Sequence, residues 1–329
     1  MSINRLLLVL AMVASLAFVV AACGDDDDDG NSSGNAASSS EESSGDLSGS
    51  IRIDGSSTVF PFAQAAAELF NEDNPNVKIT VGESGTGGGF EKFCAGETDI
   101  SDASRPIDDA DEVPVCKKNG VDYGEVQIAN DGIAVVTNKG ITIDCMTVEQ
   151  LKQLWEPKSK VKSYNEIDPS FPDAQAALFG PDTDSGTFDF FTDEINGEEG
   201  ASREDYEASA DDNQLVTGVS GTDGGLGYFG FSYYEQNTDK LNLVQVDDGS
   251  GCVAPSAETI QDGSYKPLSR PLFMYPSSKS MSSKPEVKAF MDFVMENQQA
   301  IAEAAKIVPM TEQQVSEAQS NLQSLEGGA

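Results

Sequence analysis

Three short stretches of this 329-residue chain combine Ser or Thr hydroxyls with glycine just where a helix is expected to begin. They are DGSSTVFP at residues 54–61, ESGTGGGF at 83–90 and PDTDSGTFDF at 181–190. One such loop is ordinarily an N-cap and nothing more. Three in one chain suit a small tetrahedral oxyanion, whose lone pairs must each meet a donor in a dry site. Hydroxyls, backbone N–H groups and helix N-termini supply those donors without burying several charges. The run from Gly82 to Phe90 is so rich in glycine that its backbone N–H groups can converge on an anion. It lacks the Gly-Lys-Ser/Thr ending of a nucleotide-binding loop, so a smaller anion fits better. Close by, SDASRP at 101–106 offers the hydroxyl of Ser104 and the planar fork of Arg105, suited to bidentate oxyanion contact. A second arginine, Arg203 in GASREDY, has acidic neighbours of its own and reads as structural.

The elements that must hold these loops alternate along the chain. Ile51 and Ile53 mark a short strand, and Phe62, Ala66, Leu69 and Phe70 form the apolar stripe of a following helix. NVKITVGES is the next strand, and the glycine loop leads into a helix beginning near Phe90. Strand, loop and helix repeated in this way predict an α/β domain with a parallel sheet, whose ligands sit at the strand C-termini. QIANDGIAVVTN and KPLSRPLFMYP are two further apolar strands, far apart in sequence. Between them lie a helix (TVEQLKQLW), the loop GPDTDSGTF opening another helix, and the strand-like GGLGYFGFSYY. A second α/β unit inserted between two crossing strands fits this order. The helical KPEVKAFMDFVMENQQAIAEAAKI is expected to pack back on the first unit.

Bulk properties narrow the function. The formal charge is −36, which argues against nucleic acid and anionic lipid surfaces as partners. Residues 1–22 read as an export leader: Arg5, then an apolar run from Leu6 to Val20 that is short for a membrane span. VVAAC resembles the lipobox of bacterial lipoproteins, with Cys23 the lipidated residue. The Asp-, Ser- and Gly-rich segment after it cannot bury a core and is expected to be a disordered acidic tether over 23–48. The chain contains no histidine, which removes Ser-His-Asp and Cys-His catalysis and the commonest metal ligand. Beyond Cys23, an even set of four cysteines remains, Cys94, Cys116, Cys145 and Cys252, with no C-x-x-C spacing for a metal. In an oxidising compartment two disulfides are expected, and neither metal nor cofactor.

Taken together and in order, DGSSTVFP, SGTGGGFEKFCAGETDISDASRPI, DGIAVVTN, LFGPDTDSGTFDFF, LGYFGF and YKPLSRPLF resemble the phosphate-binding proteins of phosphate ABC transporters. The resemblance spans essentially the whole chain after the tether. It implies a two-domain periplasmic-binding-protein fold of type II: domain I at 49–137 and 267–329, domain II at 138–266, and a two-strand hinge between them. It implies capture of one inorganic phosphate in the interdomain cleft by a monomer, for delivery to permease and ATPase chains. The ligand set carried over by motif is Ser57, Thr58 and the Val59 N–H, Thr86, Ser104 and Arg105, then Ser185, the Gly186 N–H and Thr187. The better-known members have an aspartate at the position of Ser104 and an arginine shortly before the Ser-Gly-Thr run, and this chain has neither. Arg105 is therefore expected to supply the cation, and Asp184, Asp131 or Asp102 to accept the proton of hydrogen phosphate. The expected disulfides are Cys94–Cys116 and Cys145–Cys252, because that pairing keeps each bridge within one domain and leaves the hinge free.

Other readings are a receptor for sulfate or arsenate, a hydrolase, and an adhesion protein on the same fold. DSGT at 184–187 matches an aspartic-protease signature, but that chemistry needs two facing copies and there is one. The expected location is the outer face of the cell membrane, held by the lipid anchor alone.

Overall fold

The computed structural model describes residues 47–326; the leader, Cys23 and nearly all of the tether lie outside the described residues. The strands are β1 (Gly49–Gly55), β2 (Val77–Gly82), β3 (Ile100–Ala103), β4 (Val126–Asn138), β5 (Cys145–Thr147), β6 (Ala177–Gly180), β7 (Glu207–Ala208), β8 (Gly225–Gly230), β9 (Leu241–Asp247), β10 (Cys252–Val253) and β11 (Ser269–Pro276). The helices are α1 (Phe60–Asp73), α2 (Gly85–Cys94), α3 (Val113–Asn119), α4 (Val148–Trp155), α5 (Gly186–Phe191), α6 (Asp212–Gly221), α7 (Phe231–Glu235), α8 (Ala257–Gln261), α9 (Ser278–Ser283), α10 (Pro285–Ala304) and α11 (Glu312–Glu326). A π-helical turn at Thr192–Asn196 runs on from α5.

β1 pairs in parallel with β2 on one side and β3 on the other, and β11 then runs antiparallel to β3. β4 is the strand that joins the two halves. Its Val126–Gly132 stretch pairs with β11, and from Ile133 onward it pairs with β8 and β9 instead. Two cores form on either side of this crossing. One gathers Ile51, Ile53, Phe62, Phe70, Ile128, Leu272 and the inner face of α10. The other gathers Ile133, Val135, Trp155, Phe191, Tyr228, Val244 and Leu268. The cores part between Ala129 and Ile133 on the outward strand and between Leu268 and Leu272 on the return. The crossing is thus a few residues earlier on β4 than the division expected after residue 137.

α1 and α10 form as their sequences predict. Each has a proline in its first turn, where the missing N–H costs nothing, and an apolar face recurring at three- and four-residue spacing. The two helices meet through Phe70, whose ring lies edge-on to Phe290 at 5.5 Å and Phe293 at 5.4 Å. α2 differs from expectation. It begins at Gly85, so the glycines are its first turns and not a loop ahead of it. Gly85 starts the turn at φ +77, and a Cβ at Gly89 would overlap Gly55 at the end of β1. Glycine here lets a helix lie directly against a strand end. GGLGYFGFSYY also divides: the strand stops at Gly230 and FSYY is helical, with Phe231 buried in the second core.

The bridges are Cys94–Cys116 and Cys145–Cys252. The first joins α2 to α3, and the second joins β5 to β10, both of which pair with β9. Each therefore stays on one side of the β4 crossing. Opening Cys145–Cys252 with paired serine substitutions is expected to lower stability by ~2–4 kcal/mol. The effect should exceed that of opening Cys94–Cys116, because the closed spans are 107 and 22 residues. Denaturant titration of the two variants checks the order.

Candidate functional site

The loops after β1, β2 and β3 leave the same edge of a parallel sheet, so DGSST, ESGTG and DASRP converge. β11 runs the other way, which brings its first residues, Ser269 and Arg270, to that edge. α5 faces them from the second lobe. Together they line a cleft of about 540 Å³. Of the residues singled out in the sequence, Ser57, Thr58, Thr86, Ser104, Arg105 and Gly186 line it. The two lobes are in contact at its floor: a Cβ on Gly186 would overlap the hydroxyls of Thr58 and Ser57.

The loops brace one another. The Thr86 and Ser104 hydroxyls are 3.0 Å apart, and Thr86 Oγ1 accepts the Ser104 N–H at 3.2 Å, which joins the glycine helix to the DASRP turn. Ser84 donates to Asp54, which also receives Lys92 Nζ at 2.7 Å. Val59 is fully buried and its N–H already donates to the Ser56 carbonyl at 3.1 Å, so this expected ligand is engaged within its own turn. Ser185 caps α5, its Oγ accepting the Thr187 N–H at 3.2 Å, and neither residue is in the lining.

The cations fall out differently from expectation. Arg105 sits at the rim with its side chain 46% exposed, and its two terminal nitrogens grip Glu112 at 2.9 and 2.8 Å. That contact raises its guanidinium pKa, and the planar fork is turned to a carboxylate of its own loop. Arg203 lies elsewhere. It is buried, paired with Asp205 at 2.7 Å and capped by the carbonyls of Leu154 and Val161, a structural role. The other arginine of the lining is Arg270, at the start of β11. Its Nε donates to Asp131 at 3.3 Å, Nη2 donates to Thr58 Oγ1 at 2.7 Å and to the Gly186 carbonyl at 3.4 Å. Its guanidinium carbon lies 3.7 Å from the ring centroid of Phe190. Burial lowers its pKa, with Asp131 opposing, but an arginine stays charged under either influence. Among the described residues Nη1 has no hydrogen-bond acceptor, and Arg270 is one of the residues that line the cleft.

A signal for Arg270 was present. Arg270 and Asp131 are the single charged residues of β11 and β4, two largely buried strands, and a charge in such a strand requires a partner. They are directly opposite in the β4–β11 ladder.

The carboxylates named as proton acceptors are not in the lining. Asp184 is exposed, and Asp131 is ion-paired with Arg270. Asp102 is fully buried, and among the described residues neither of its oxygens has a hydrogen-bond partner; burial pushes its pKa well above the usual range, and Asp54 adds to this. The half-buried carboxyl that does line the cleft is Asp189, on α5. Burial and Glu199 push it up, Arg270 opposes, Glu83 adds across the cleft, and the result is a pKa of about 6. Asp193, Glu194 and Glu199 complete an acidic wall on the same side. Among the described residues no group of three or more Cys, Asp or Glu is placed to hold a metal, and no helix is long and apolar enough to cross a membrane.

Known proteins match over most of this chain. Residues 40–298 match the model of the PBP superfamily domain. Protein SphX of Synechocystis is 45% identical over 269 residues, covering 81% of this chain and 80% of its own. The phosphate-binding protein PstS of Staphylococcus saprophyticus is 41% identical over 286 residues, covering 86% and 88%. The crystal structure of a possible phosphate binding protein from Planctomyces limnophilus superposes with a TM-score of 0.80 at 46% identity, covering 85% of this chain and 99% of that one. A putative phosphate ABC transporter substrate-binding protein from Clostridium perfringens, solved with bound phosphate, superposes at 0.56 with 27% identity over 80% and 100%. A sheet that crosses between two cores at β4, a cleft at the crossing lined by hydroxyls and an arginine, and this extent of similarity lead to one conclusion: the chain belongs to the PBP superfamily, in the family of the phosphate-binding protein PstS.

Proposed function

We propose that this chain captures one inorganic phosphate outside the cell and hands it to an ABC permease driven by an ATPase, both supplied by other chains. The observation that carries the reading is Arg270. It is a guanidinium held by Asp131 and Thr58 in the lining of a cleft that also takes in the hydroxyl residues Ser57, Thr86 and Ser104. A tetrahedral oxyanion there meets Nη1 of Arg270, those hydroxyls, the Gly186 N–H and the first-turn N–H groups of α2. Arg105 draws the anion in from the rim. Asp189 takes the role of proton acceptor, the one foreseen for Asp184, Asp131 or Asp102. An ionised carboxyl in contact with the ligand favours an anion that carries a proton over one that does not, and this separates phosphate and arsenate from sulfate. The large negative charge does not prevent capture, since exposed charges are screened beyond ~8 Å at physiological salt while the cleft contacts are short-ranged.

Lipidation of Cys23 would hold the receptor at the outer face of the membrane on its acidic tether. Asp184 of DSGT is exposed and outside the cleft lining. Calorimetric titration with phosphate, arsenate and sulfate across about pH 5 to 9, where such carboxyls and the ligand titrate, tests the reading. Phosphate should bind one-to-one with sulfate far weaker at neutral pH. Sulfate binding as tight as phosphate would remove the acceptor from the account.

A further inference from the structure

Arg270 is held from three directions. Asp131 fixes it from the neighbouring hinge strand, Thr58 from the first lobe, and α5 of the second lobe meets it twice, through the Gly186 carbonyl and the face of Phe190. The Phe190 ring cannot follow a moving side chain. It is 5% exposed and packed into the second core, and it is also among the residues that line the cleft. A guanidinium 3.7 Å from a ring centroid is within the range where the negative face of the ring attracts the cation. The stack also keeps water from one face of the guanidinium and so directs its donors along the plane of the fork.

We propose that Phe190 is a positioning residue for the oxyanion: its π face fixes the plane of the Arg270 guanidinium and couples that hinge cation to the second lobe. The inference rests on the reading of Arg270 as the ligand's cation. It has a specific consequence. When the lobes separate, α5 withdraws from Arg270, so the fork is oriented for an anion only with the second lobe in place. Phosphate affinity then depends on the electron density of a ring that does not itself touch the ligand through any hydrogen-bonding atom.

The test replaces Phe190 in the full chain by 4-fluoro-, 3,5-difluoro- and 3,4,5-trifluorophenylalanine, which keep the ring's shape and progressively remove its negative face. Phosphate affinity is measured by calorimetry, and the melting temperature of each ligand-free variant is recorded. Affinity should fall stepwise with fluorination, to about tenfold weaker for the trifluoro ring, with ligand-free melting temperatures unchanged. Phe190→Trp, a stronger cation binder, should hold affinity better than Phe190→Leu. A flat series in a protein that binds phosphate normally overturns the role of Phe190 and leaves the reading of the cleft standing. Affinity that falls only in step with melting temperature makes Phe190 a packing residue and overturns it equally. An unmodified chain that fails to bind phosphate overturns the reading of the cleft and this inference together.

Discussion

Arg270→Ala is expected to weaken phosphate binding by about a hundredfold, whereas Arg105→Ala should cost less than about tenfold. The difference follows from what each guanidinium already holds. Arg270 has its side chain 17% exposed, lines the cleft and, among the described residues, has no acceptor for Nη1, so its loss removes a charge-assisted contact from a poorly solvated site. Arg105 is nearly half exposed and bidentate on Glu112, so solvent and a carboxylate have already weakened its pull on an anion. The alanine variant also strands Asp131, whose side chain is 11% exposed, and a buried carboxylate without its partner is destabilising. Arg270→Lys separates the two effects. It keeps a positive charge near Asp131 and loses the planar fork, so folding should be largely retained while binding falls to an intermediate value. Arg203→Ala should behave in the opposite way. It removes the guanidinium and leaves the Leu154 and Val161 carbonyls without that donor, so it should lower the melting temperature with little change in affinity per folded molecule. Calorimetry with thermal melts on the four variants decides the order. If Arg105→Ala proves costlier than Arg270→Ala, the rim arginine is the principal cation.

Much of this was legible in the residues, and the failures have identifiable causes. The alternation of strand and helix, the two crossing strands and the three hydroxyl loops follow from short-range chemistry: apolar periodicity, prolines in first turns, Ser and Thr at caps. The disulfide pairing follows once the two lobes are known. Arg270 was missed because the strand KPLSRPLFMYP was read for its apolar character, although a lone arginine within it needed an acid and Asp131 stood alone in the partner strand. Strand register, which places those two opposite, is a long-range property that no local window contains. Asp189 was missed for another reason. Its raised pKa arises from burial and from Glu199 and Glu83, which are distant in sequence or across the cleft. The glycine helix was misplaced because five glycines within nine residues argue against helix by propensity. Close approach of α2 to β1 at Gly89 and Gly55 overrides that preference.

Asp189→Asn should collapse the discrimination between phosphate and sulfate, and the unmodified protein should show its cause as a difference in pH dependence. The Asp189 pKa of about 6 leaves the carboxyl mostly ionised at neutral pH. An ionised acceptor can share the proton that hydrogen phosphate carries. Sulfate carries none, so it is accommodated only after Asp189 itself takes up a proton and turns from acceptor to donor. Sulfate affinity should therefore rise as pH falls through about 6, and above that value it should drop by up to tenfold per unit, the limit for one linked proton. Phosphate should change far less over the same interval because it brings its own proton. The groups facing Asp189 set the midpoint: Glu199 and Glu83 hold it up and Arg270 holds it down, so Glu199→Gln should move the sulfate profile to lower pH. The same shift has a sign for folding. The folded chain binds this proton more tightly than the unfolded chain does, so the contribution of Asp189 to stability is full below the ordinary value of 3.8 and is lost as pH rises through about 6. In Asp189→Asn the side-chain amide donates to a fully deprotonated anion at any pH. Sulfate binding should then be flat with pH and approach that of phosphate, and competition titrations at pH near 5 and near 8 read both slopes. A sulfate profile in the unmodified protein that is level across this range would exclude Asp189 as the acceptor and return the role to Asp102, which would then have to become accessible from the cleft.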